Sequence, residues 1–90
     1  MPRYIVERTF PDGLSVPPDA TGAAAMLKVV DRNAERGVTW LHSYVTGDTK
    51  HTFCVYDGPD PEAIRAAAEL NSFPVDRITE VRVLDPYFTF

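Results

Sequence analysis

The chain is poor in the groups that carry most protein chemistry: 90 residues hold one cysteine, one tryptophan and two histidines. A single cysteine excludes an internal disulfide, which suits a cytoplasmic location. No apolar run approaches the roughly 20 residues of a membrane span. The Gly-rich phosphate loop, the nucleophile elbow and the HExxH and CxxC spacings are all missing, which sets aside nucleotide-driven and zinc-protease chemistry. Positive charge is scarce as well. Nine Lys and Arg against 13 Asp and Glu leave a net charge of −4, which argues against a nucleic-acid partner and lends nothing to an anionic membrane surface. The opening MPRYIVERTF carries Glu7 early and reads as a strand rather than a secretory leader.

What remains is the composition of one globular domain, residues 1–90, with 44% hydrophobic residues and enough chain for a modest core. Arg3–Phe10 alternates as a strand and stops at Pro11-Asp12-Gly13. The paired prolines Pro17 and Pro18 hold the connector extended. From Asp19 to Arg36 the pattern turns helical, with Asp19 or Thr21 as N-cap and Gly37 as a left-handed terminator. Ala23, Leu27, Val30 and Ala34 form its apolar stripe. A second helix, Pro61–Leu70, has Asp60 as N-cap and Pro61 at its first position, and buries Ile64, Ala67 and Ala68. The last strand spans Arg77–Leu84.

Between the helices lies Val38–Tyr56, VTWLHSYVTGDTKHTFCVY, a β-hairpin that gathers the tryptophan, both histidines and the cysteine. A loop of Gly47–Thr49 pairs Thr46 with Lys50, Trp40 with Tyr56 and His42 with Cys54. A two-residue turn would shift that register by one.

The order β-α-β-β-α-β makes an α+β, ferredoxin-like sandwich: a four-stranded antiparallel sheet with two helices on one face. The expected helix-facing set is Tyr4, Val6, Leu41, Val45, Phe53, Val55, Val81 and Val83. The other face would then hold Ile5, Glu7, Trp40, His42, Tyr44, Cys54, Tyr56, Ile78, Glu80, Arg82 and Leu84. Large aromatics mixed with acids, an imidazole and a thiol suit a subunit contact or a pocket. A homodimer, as in a dimeric α/β barrel, is therefore expected. The aromatic tail 85–90 is expected to pack on its own sheet or on the second subunit.

Among these groups His42 is the best donor, since imidazole suits nickel, zinc or copper and also works as an acid or base near neutral pH. Cys54 across the strands would add a soft ligand. Two donors are too few for a closed site of about four, so a dimer axis must double them or Glu7 must complete the set. Trp40, Tyr44 and Tyr56 would wall a small-ligand pocket. Glu7 and Arg82 are expected to meet across neighbouring strands, and His51 to touch solvent.

Across WLHSYV, TFCVYDGPDPEAIR and FPVDRITEV the chain resembles the small ferredoxin-like nickel-binding family, long described as a domain of unknown function. His42, Cys54, Pro59 and Pro74 stand at matching positions. The resemblance implies a ferredoxin-like homodimer that binds nickel through histidines. It also implies a histidine pair in the first strand, where this chain has Arg8 and Thr9, and further histidines where it has apolar residues such as Phe73. Three readings follow. The first is a cytoplasmic homodimer that binds nickel, another transition metal or a small ligand on the helix-free face without catalysis. The second is a cofactor-free or haem-handling dimeric α/β-barrel enzyme using His42 or Tyr44. The third is an interaction module with no small ligand.

Overall fold

A computed structural model describes residues 1–16 and 18–87. Among them the elements run β1 (Arg3–Thr9), α1 (Ala20–Ala34), β2 (Thr39–Val45), β3 (His51–Asp57), α2 (Pro61–Asn71) and β4 (Arg77–Val81). The strands form one antiparallel sheet in the order β2-β3-β1-β4. This is the ferredoxin-like α+β arrangement expected from the alternation of strands and helices.

The helix ends follow the local chemistry. The Asp19 carboxylate accepts from the Thr21 and Gly22 amides at the start of α1. Asp60 accepts from the Ala63 amide, and Pro61 opens α2. Ser72 closes α2 in a left-handed conformation, and Gly37 takes φ +70° just beyond α1. Ile64, Ala67 and Ala68 are buried as expected, and Ile64 and Ala67 pack α2 onto the sheet beside Tyr4, Val6 and Tyr56.

Helix α1 is turned from its expected face. Its buried residues are Gly22, Val29 and Asn33, whereas Leu27 and Val30 are exposed. The two stripes share one spacing and lie one residue, about 100°, apart around the helix. Asn33 decides between them. Its side chain accepts from Asn71 on α2, a bond that needs it inside, and its carbonyl oxygen accepts from the Val38 amide.

The hairpin loop is one residue longer than expected, because the Thr46 amide bonds the His51 carbonyl and Tyr44 lies opposite Phe53. Trp40 nevertheless pairs with Tyr56, as the sequence predicts. A bulge between Trp40 and His42 reconciles the two registers and sets His42 opposite Val55 rather than Cys54.

Register also corrects the expected faces. Tyr4, Val6 and Arg8 pair with Tyr56, Cys54 and Thr52, so these three β3 residues share the covered side. Trp40 and Ile78 join them by pairing with Tyr56 and Val6. Phe53 and Val55, opposite Glu7 and Ile5, lie instead on the helix-free side. Val81, paired with Arg3, lies there too, while Val83 is past the end of β4. Strand β4 stops three residues early, so Arg82 is outside it. Glu7 lies opposite Arg77, whose Nε is 3.9 Å from its carboxylate. In the tail, Tyr87 is exposed rather than packed on the sheet, and the expectation for Phe88, Thr89 and Phe90 falls outside the described residues.

Candidate functional site

The helix-free face is built on the central strands. Ile5 on β1, Val55 on β3 and His42 on β2 lie in one row, and Glu7, Phe53 and Tyr44 in the next. His42 is exposed, and its ring meets Tyr44 edge-on with centroids 5.3 Å apart. Tyr44 is 64% exposed and Phe53 38%, so the imidazole sits among aromatic surface that water still reaches. His51 also lies at the solvent, near the turn, with Nδ1 3.4 Å from the Thr9 hydroxyl.

The covered face carries a different constellation. Between the sheet and α1 is a cavity of about 240 Å³. Met26 and Val29 form its roof, Trp40 and Phe73 part of its wall, and Arg8, Ser43, Thr52, Cys54 and Tyr56 its floor, which shows the chamber almost only apolar surface. Arg8 is 4% exposed, although guanidinium groups are almost never fully buried unless paired. Its Nη1 donates to the Pro74 carbonyl at 2.6 Å and its Nη2 to the Tyr56 hydroxyl at 3.1 Å. Its charge lies over the rings of Phe73 and Tyr56, at 5.3 and 5.9 Å. The buried Nε has no hydrogen-bond partner among the described residues.

Cys54 lies beside this cation. Burial pushes its thiol up, but hydrogen bonding to Ser43 and Thr52 and the charge of Arg8 outweigh burial and hold it below its ordinary value. Thr52 Oγ1 is 3.5 Å from the sulfur. The Ser43 hydroxyl accepts from Trp40 Nε1 at 2.9 Å, which fixes it in place. Burial likewise pushes the Tyr56 hydroxyl up, although the Arg8 charge opposes that rise.

The residues singled out from sequence therefore separate into two groups. His42, Tyr44 and Glu7 share the helix-free face, with Glu7 and His42 two strands apart, about 10 Å in the direction of the ladder. Cys54, Trp40 and Tyr56 share the covered face, so the sheet itself lies between the thiol and the imidazole. No three of His, Cys, Asp and Glu gather closely enough to hold a metal ion among the described residues. Arg8 is the residue that sequence reasoning passed over. Its parity with Tyr4 and Val6 was the available signal, since a charge in step with core residues must be buried or break the strand.

Comparison with known proteins agrees with this architecture. The family model described as nickel responsive protein SCO4226-like matches residues 4–81. The crystal structure of SCO4226 from Streptomyces coelicolor A3(2) shares the fold, with a TM-score of 0.73 and 16% sequence identity over 92% of this chain and 99% of that one. A search of curated proteins gives no match. With most of its length matched, the chain belongs to the SCO4226-like family of nickel responsive proteins.

Proposed function

We propose that this protein is a cytoplasmic homodimer that binds nickel through His42 on the helix-free face of its sheet, without catalysing a reaction. The observation that carries the reading is the position of His42: an exposed imidazole, edge-on to Tyr44, on a face whose Tyr44 and Phe53 are left to solvent. A second chain stacked there, as in a dimeric α/β barrel, would remove those aromatics from water. The family's printed description, nickel responsive, supports the choice of metal.

The donor set fits a shared site and not a closed site in one chain, because no three ligating side chains converge among the described residues. Imidazole suits nickel, and each chain would bring its own His42 to the contact. Glu7 and Asp57 are carboxylates on the same face, and Asp57 is already paired with Arg3. Cys54, across the sheet, takes no part. Nickel bound there would tie the two subunits together, so that metal and dimer stabilise each other.

An enzyme that uses His42 or Tyr44 would need a chamber beside them. Neither cavity described for this chain is lined by either residue, which favours binding over turnover. Isothermal titration of tag-free protein with nickel, copper and zinc tests the reading. Wild type is expected to bind nickel well below millimolar and His42→Ala to lose it; affinity no better than about 1 mM, roughly 4 kcal/mol, would remove the metal. A dimer that persisted without metal affinity would favour the bare interaction module.

A further inference from the structure

We propose that the cavity on the covered face binds a small apolar carboxylate, with Arg8 as its anion-binding residue. The reading is independent of the nickel site, which lies across the sheet. It starts from an imbalance of charge. The described ion pairs are Arg3 with Asp57 and Arg77 with Glu7, so the buried Arg8 has no carboxylate of its own. Two of its nitrogens are held by neutral oxygens, from Pro74 and Tyr56. The third, Nε, is buried and unsatisfied. Both facing rings present π-electrons to the cation, but neither supplies a formal charge. A buried cation held this way is fixed in position; among the described residues the acidic Cys54 thiol lies beside it and no carboxylate is paired with it.

The space beside it is apolar and small. Met26, Val29, Trp40 and Phe73 line the cavity of about 240 Å³, which suits a short hydrocarbon chain or a single ring. Arg8 lies at the floor, with Ser43 and Thr52 turned to Cys54, so a carboxylate would meet the guanidinium while its tail filled the almost wholly apolar chamber. An outer chamber of about 270 Å³ shares Leu14, Val16, Met26, Val29 and Phe73 with the inner one. Lys28 and Arg32 line that outer chamber. In a chain of net charge −4, two further cations on this approach favour entry of an anion.

Trp40 is the only tryptophan and lines the cavity, so its fluorescence reports occupancy directly. The full chain is titrated with sodium hexanoate and, separately, with hexanamide, which has the same tail and no charge. Hexanoate is expected to change the Trp40 emission saturably and to bind at least about tenfold tighter than hexanamide, the worth of one charge-assisted hydrogen bond. Arg8→Met is expected to abolish that preference. Should Arg8→Met unfold, Val29→Phe keeps the cation and fills the chamber, and is expected to weaken hexanoate by about tenfold or more. Equal affinity for hexanoate and hexanamide, or no saturation by about 10 mM, would overturn the proposal. So would hexanoate binding by Cys54→Ser alone, because the native thiolate would then already serve Arg8 as its anion.

Discussion

Trp40 and His42 stand two residues apart on β2 yet face opposite sides of the sheet. Regular alternation would put them together. The bulge at Leu41 inserts one residue between the pair opposite Tyr56 and the pair opposite Val55, so Trp40 turns to the cavity and His42 to the helix-free face. The proposed metal donor and the proposed ligand cavity thereby lie on opposite surfaces of one strand.

Deleting Leu41 should therefore be tolerated. Without it Trp40, His42 and Ser43 would meet Tyr56, Val55 and Cys54 in unbroken alternation, each on its present face. The expected cost is about 1 kcal/mol or less. Deleting Tyr44 instead inverts part of the strand and should cost about 3 kcal/mol or more, as loss of a large core residue does. Urea denaturation of both variants reads the difference; equal losses would contradict the bulge.

The rotation of α1 makes a second contrast. Val29 is 7% exposed and Leu27 64%. Val29→Ala should cost about 1.5 kcal/mol for the two carbons removed from the interior. Leu27→Ala should stay within about 0.5 kcal/mol. The larger loss at Leu27 would restore the face expected from the sequence.

These two elements show where sequence reasoning reaches and where it stops. Element order, the Asp19 and Asp60 caps and the buried face of α2 were all legible, because each depends on local chemistry over a few residues. The face of α1 was not: two stripes of equal spacing compete there, and the winner is set by Asn33 bonding to Asn71 far along the chain. The covered set of β3 depends likewise on register with β1, which alternation within one strand cannot reveal. The expected pairing of His42 with Cys54 failed for one reason, the bulge. Of the candidate site residues, Glu7, His42 and Tyr44 lie on the helix-free face as expected, whereas Cys54, Trp40 and Tyr56 belong with Arg8.

The thiol predicts a pH dependence. In the folded chain Cys54 titrates below its ordinary value of 9.0. Between those two values the unfolded chain keeps a proton that the folded chain has released, so stability rises with pH. The gain is complete above 9.0 and is lost as pH falls through the lower, folded value. Tyr56, pushed up by burial, acts in the opposite sense only above the ordinary tyrosine value of 10.0. Denaturant melts at stepped pH should show wild type gaining on Cys54→Ser as pH rises towards 9.0. A margin that shrinks over that range would contradict the arrangement around the sulfur.

Tyr44 tests the proposed subunit contact without disturbing the core. Because its side chain is 64% exposed, Tyr44→Glu should change folding stability by no more than about 0.5 kcal/mol. A carboxylate facing its own copy across a two-fold contact should nevertheless convert the dimer to monomer. Gel filtration with light scattering checks it; a dimer that survived the substitution would move the contact to another surface.

The most direct test of the account follows the two histidines themselves during nickel addition, by NMR of their imidazole groups in the full chain. The His42 signals should shift or broaden at substoichiometric nickel, with His51 near the turn little affected. Response at His51 alone, or at neither ring by about 1 mM nickel, would contradict a metal site on the helix-free face.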